Sequence, residues 1–160
     1  EEIEILFTGN ITLVGSMLII TGILLLLTKL SKEKRHQISY SHSFIVGLSQ
    51  AFAIIPGISR SGATICTSLL LGNNKKQSAK FSFLMVIPLI FGKIIKDLFS
   101  DNIDFNNIDY MVYIFGFFSA FITGLFACKL MLKIVKNNSL NIFSAYCIIL
   151  GLISIIITSF

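Results

Sequence analysis

The sequence predicts an all-α integral membrane protein, a multi-span helical bundle that includes one re-entrant helix-turn-helix hairpin. Three observations predict it. Of the 160 residues, 54% are hydrophobic and 13% are charged, against about 25% charged in soluble domains. Several apolar runs approach the roughly 20 residues that cross a bilayer. The basic residues, which give a formal net charge of +5, gather in short clusters at the ends of those runs, where the positive-inside rule expects them. That placement argues against a nucleic-acid surface. A single soluble core of this size could not hide so much apolar surface.

The elements follow in order within one membrane domain, 1–160. The opening "EEIEILFTGN" is acidic and lacks both an initiator methionine and the basic start of a signal peptide. The expectation is a chain that begins partway through a larger protein. Residues 11–28 form the first span, followed by the basic loop "KLSKEKRHQISYSH", in which His36 and His42 are expected to be solvated. Residues 44–72 are apolar but interrupted. "NNKKQSAK" follows, then a span at 81–99 in which Pro88 should produce a kink. Lys93 and Asp97 have the i, i+4 spacing of a surface pair. "SDNIDFNNID" is an acidic loop. The remaining spans are 110–132 and 140–158. Gly116, Ala120 and Gly124 form a small-xxx-small stripe suited to close helix packing. Cys66, Cys128 and Cys147 lie in apolar segments without metal-ligand spacing and read as small hydrophobes.

Charge decides how residues 44–72 are disposed. The basic loops are 29–42, 74–80 and 129–138; the acidic segments are 1–4 and 97–109. If 44–72 crossed the membrane, the first two basic loops would lie on opposite sides. If it enters and returns as a hairpin, all three basic loops lie on the cytoplasmic side. About 29 residues suffice for two half-helices and a turn at 1.5 Å per residue.

The tip of that hairpin is "PGISRSG", in the stretch "IIPGISRSGATI" (54–65), and Arg60 is the one formally charged residue between Arg35 and Lys75. Pro56 and Gly57 are expected to end the first half-helix. Ser59 or Ser61 can cap the second. Unpaired N–H groups and the positive end of the helix dipole would then point to the middle of the membrane. Arg60 adds a planar, permanently charged fork that matches two phosphate oxygens. Ser59, Ser61 and Thr64 add hydroxyls, and Gly62 permits close approach to the backbone. Gln50, about two turns before the tip, either reaches the site or bonds between helices. A tip made of donors selects an anion, and phosphate or diphosphate fits best. The competing reading is an arginine that only holds helices together, but the neighbouring apolar runs offer it no carboxylate. An arginine at this depth is a functional candidate by default.

These residues also carry a family likeness. "GLSQAFAIIPGISRSGATI" (47–65) closely resembles a signature of the undecaprenyl pyrophosphate phosphatase family, also known for bacitracin resistance. "AKFSFLMVIPLIFG" (79–92) and "FGFFSAFITGLFACKLMLKIVKNNSLNIFSAY" (115–146) resemble later regions of the family. After Tyr146, where members more often have arginine, this chain has Cys147. The resemblance implies two interlocked inverted repeats, each with a re-entrant hairpin. It implies a bacterial inner-membrane hydrolase, its site opening to the periplasm, that converts undecaprenyl diphosphate to the monophosphate carrier of cell-wall precursors. It places Ser59, Arg60, Ser61 and Thr64 in the diphosphate-binding motif, with Gly57 and Gly62 at its turns. Arg60 would serve as the catalytic charge.

The family's earlier signature of closely spaced glutamates and a histidine has no counterpart here. Glu1, Glu2 and Glu4 have neither its spacing nor its context. No residue of this chain is singled out as a metal ligand. The magnesium or calcium that the resemblance implies would be held mainly from a missing N-terminal half; a homo-oligomer is another possible partner arrangement. Two alternatives stand beside the hydrolase. One is a fragment of a lipid-phosphate or anion transporter, since broken half-helices aimed at anions also occur there. The other is an inactive remnant of the phosphatase.

Overall fold

The computed structural model describes residues 11–31, 37–99, 110–137 and 140–159. The expectations for Glu1, Glu2, Glu4, His36 and the 100–109 loop lie outside the described residues. Every regular element among the described residues is helical. Helix α1 (Ile11–Leu27) runs into a 3₁₀ turn (Thr28–Leu30); α2 is Tyr40–Phe52, α3 Arg60–Leu70, α4 Lys75–Leu84, α5 Val86–Phe99, α6 Tyr110–Lys136 and α7 Leu140–Ser159.

Among the described residues, four segments are long and apolar enough to cross a membrane: Ile11–Leu30, Lys75–Phe99, Tyr110–Lys136 and Leu140–Thr158. The second begins six residues before the predicted 81. Asn74 caps α4, its side chain accepting from the N–H of Lys76 at 3.0 Å, and the helix-favouring Lys, Gln and Ala of "KKQSAK" extend it. This span is made of α4 and α5, broken at Met85. Pro88 explains the break: it has no N–H to donate to the carbonyl of Leu84 and its ring crowds that carbonyl.

Helices α1 and α7 pack antiparallel and close together. Cβ atoms built on Gly15, Gly22 and Gly151 would fall within 3 Å of the facing helix, where Gly15 and Gly151 approach each other's backbones. The Ser144 hydroxyl donates to the Gly22 carbonyl across the same seam at 2.7 Å. Glycines allow this approach, and the hydroxyl satisfies itself without water. The stripe Gly116, Ala120, Gly124 on α6 does not do this work within the described residues: nothing lies within 4 Å of Cβ positions at Gly116 and Gly124. The residues on α6 are exposed over most of its length, and Cys128 is exposed with them, unlike buried Cys66.

Helix α3 is the centre of the molecule. Gly62, Ala63, Thr64, Ile65, Cys66, Ser68 and Leu69 are all buried on it. Its Ile65, Cys66 and Leu69 form one cluster with Leu25 of α1, Ala79 of α4, Val135 of α6 and Leu140 of α7. A polar chain ties the open end of the α2–α3 hairpin together. His42 Nδ1 lies 2.9 Å from Asn73 Oδ1. Asn73 donates to Ser68 at 3.1 Å, and Ser68 donates to Ser78 of α4 at 2.8 Å. His42 is thus half-buried and bonded, not solvated as expected. The amide oxygen can only accept, so Nδ1 of His42 carries a proton.

Candidate functional site

The α2–α3 hairpin turns back in the middle of the molecule. Helix α2 ends at Phe52, ahead of Pro56 and Gly57, which therefore lie in the turn and do not themselves form the helix end. The proline still sets the boundary. Residue 56 has no N–H for the carbonyl of Phe52, and the N–H of Ile55 reaches that carbonyl instead at 3.4 Å. The chain reverses through Gly57, whose φ of +93° lies where only glycine is unstrained. Ser59 then caps α3, its hydroxyl accepting from the N–H of Gly62 at 3.2 Å. Of the two serines that could cap, Ser59 is the one that does, and such a cap contributes about 1 kcal/mol.

A residue of α1 holds this tip. Thr21 Oγ1 accepts from the Ser59 N–H at 3.1 Å and shares its own proton between the carbonyls of Met17, at 3.0 Å, and Gly57, at 3.3 Å. Thr21 lies near the middle of the Ile11–Leu30 span, about 14 Å from either end at 1.5 Å per residue. The tip consequently sits halfway along the spanning helices. Irregular backbone at that depth is stable only when protein or a wet cavity surrounds it. Thr21→Val keeps the shape and removes the acceptor. We expect it to destabilise the purified full-length protein in detergent by about 1–3 kcal/mol, measured by thermal unfolding. An unchanged midpoint would show that the tie contributes nothing.

With Gly62 and Ala63 bonded to Ser59, the N–H groups of Arg60 and Ser61 open the helix without an acceptor among the described residues. These are the donors that make a helix N-terminus attractive to anions. A cavity of about 190 Å³ lies beside them. Ser59, Ser61 and Gly62 line it on the hairpin side; Leu25, Met131, Phe143 and Cys147 line the rest. At Gly62 a Cβ would come a tight 3.1 Å from the capping side chain of Ser59.

The other candidate residues are distributed around this cavity. The guanidinium of Arg60 is half-exposed and forms no ion pair or hydrogen bond with any described residue. Its side chain does not line the cavity. Gly57 faces α1, where a Cβ would lie 2.5 Å from the Val14 carbonyl. Thr64 is buried. Its hydroxyl lies 3.0 Å from the Arg60 carbonyl and 2.6 Å from the hydroxyl of Ser82 on α4, so the side chain joins α3 to α4 away from the cavity. Gln50 lies outside the cavity, and its buried Oε1 receives no hydrogen bond from a described residue. Thr21 and Ser82 escaped sequence reasoning. Ser82 is the one hydroxyl in the apolar run 81–99, whereas Thr21 is one of four in the run 11–28, with Thr12, Ser16 and Thr28, and nothing local singles it out. The described residues hold no group of three His, Cys, Asp or Glu side chains that could bind a metal. The hydroxyls, N–H groups and guanidinium at the tip suit an anion and do not form a divalent-cation site.

Four apolar spans and a hairpin that reverses halfway through them define a polytopic helical membrane protein with a re-entrant element. The chain belongs to the family described as bacitracin resistance protein BacA, whose profile it matches over residues 1–153. It is 52% identical over 156 residues to an undecaprenyl-diphosphatase of Christiangramia forsetii, covering 98% of this chain and 59% of that protein. The corresponding protein of Bacteroides fragilis is 42% identical over 162 residues, covering 99% and 61%. That of Carboxydothermus hydrogenoformans is 43% identical over 154 residues, covering 92% and 59%. The chain thus spans about three fifths of the length of these curated relatives.

Proposed function

We propose that this chain forms the diphosphate-binding part of an undecaprenyl-diphosphatase in the bacterial inner membrane. One observation carries the reading: a serine-capped helix N-terminus, with Arg60 as its first residue, is fixed halfway along the spanning helices beside a cavity. The relatives' names supply the substrate. In the reaction, water attacks the terminal phosphorus of undecaprenyl diphosphate. The anhydride P–O bond breaks, and undecaprenyl phosphate and inorganic phosphate leave.

The residues of this chain would handle charge. The N–H groups of Arg60 and Ser61 and the hydroxyls of Ser59 and Ser61 would bind phosphate oxygens. The guanidinium would spread over two of them and stabilise the charge that grows in the transition state. Gly57 and Gly62 would keep the backbone close. Thr64 would act by anchoring α3 to α4, and Gln50 by lining the approach along α2. The lipid chain would lie against the apolar faces of the spans. The acid–base groups, and the ligands of the magnesium or calcium implied by the family likeness, would come from outside the described residues. With basic loops on the cytoplasmic side, the tip would open toward the periplasm.

The test uses the full-length gene product in liposomes supplied with undecaprenyl diphosphate. Release of inorganic phosphate in proportion to protein is expected. Movement of intact diphosphate across the bilayer without release would replace the hydrolase with a carrier, and neither activity would indicate a remnant.

A further inference from the structure

We propose that the start of α4 and the end of α6 form a binding site for the headgroup of an anionic phospholipid. Two adjoining cavities lie there. One, of about 320 Å³, is lined by Asn74, Lys75, Lys76 and Lys136. The other, of about 300 Å³, is lined by Lys76, Leu132, Lys133 and Lys136. Both are large enough for a small ligand. They share Lys76 and Lys136, so two helices direct four lysines toward one place, and among the described residues no carboxylate lines either cavity.

Helix electrostatics explain only half of this cluster. Lys133 and Lys136 occupy the last turn of α6, where positive charge complements the helix dipole. Lys75 and Lys76 do the opposite. They open α4, whose first turn holds no acid, and so place positive charge at the positive end of a dipole. A bound anion offsets the unfavourable placement of Lys76, interacting with that ammonium and the helix end together.

The position of the cluster identifies the source of the anion. Lys75 begins one membrane span and Lys136 ends another. The cavities therefore lie where hydrocarbon gives way to headgroups, and Leu132, one turn deeper on α6, offers an apolar wall. A lipid phosphate reaches this level with its acyl chains already in the bilayer. The basic loops assign it to the cytoplasmic leaflet, whose anionic lipids attract such segments. This site is separate from the hairpin tip and does not depend on the proposed hydrolase reaction.

The test is native mass spectrometry of the full-length protein released from micelles containing phosphatidylglycerol or phosphatidylcholine. Wild-type protein should retain phosphatidylglycerol preferentially. Lys76→Gln/Lys136→Gln should weaken that retention about thirtyfold and leave phosphatidylcholine unaffected, whereas Lys76→Arg/Lys136→Arg should retain it. If the double glutamine variant does not fold, Lys76→Gln alone should show about a fivefold loss. Arg60→Ala should retain phosphatidylglycerol as the wild type does. Undiminished retention in the glutamine variants overturns the proposal, as does a matching loss in Arg60→Ala. Displacement by millimolar inorganic phosphate would also overturn it, because the site would then be one for free anions.

Discussion

If the proposed reaction holds, Arg60→Lys in the full-length protein is expected to lower phosphate release from undecaprenyl diphosphate by about 10²–10³-fold, the usual cost of losing one well-placed donor to transition-state charge. Lysine keeps the formal charge but replaces a rigid planar fork with a single ammonium on a flexible stem. The Arg60 side chain has no ion pair or hydrogen bond to any described residue, so within this chain its replacement should leave the fold intact. The effect should therefore fall on kcat, measured by phosphate release, while the thermal unfolding midpoint stays close to that of the wild type. Near-normal turnover would remove Arg60 from the reaction and assign charge neutralisation to another group.

Gly57→Ala has the largest expected effect on stability, a loss of about 2–4 kcal/mol from combined backbone strain and overpacking. The residue has φ +93°, and its new Cβ would meet the Val14 carbonyl at 2.5 Å and Met17 Cβ at 2.9 Å. Neither neighbour can yield easily, because both belong to the spanning helix α1. Gly47→Ala is the matched control. No atom lies within 4 Å of its Cβ position, and alanine favours a helix interior by about 1 kcal/mol over glycine. Thermal unfolding in detergent should show a lower midpoint for the first variant and an equal or higher one for the second. Equal midpoints would mean that the tip is not held against α1.

Much of the fold can be read in the sequence because the membrane simplifies the signal. Apolar run length marks spans, and lysine placement turns residues 44–72 back on themselves. Pro56 and Gly57 mark the turn, and the missing donor of Pro88 marks the break between α4 and α5. Contacts distant in sequence are less legible. The bond from Thr21 to Gly57 joins residues that no local pattern connects. Thr64 sits in the signature, yet its hydroxyl meets Ser82, because helical spacing shows which residues share a face and not what stands opposite. Small residues pose the same difficulty. Gly116, Ala120 and Gly124 have the pattern of close packing, but within the described residues the tight seam is built by Gly15, Gly22 and Gly151. His42 reads as a loop residue, and only the hairpin's closure brings Asn73 to it.

The hairpin tip is fastened from two sides, by Thr21 on α1 and through the Thr64–Ser82 hydroxyl pair on α4. Its backbone loses conformational freedom when the protein folds, before any ligand arrives. The anion proposed to bind in the cavity would therefore meet dipoles already aligned and would have little protein motion to freeze, which would favour affinity and lower the reorganisation needed during the proposed reaction. The same rigidity makes the tip unforgiving. A displacement of α1 or α4 carries the N–H groups with it, so substitutions far from the phosphate can misalign the whole set of donors.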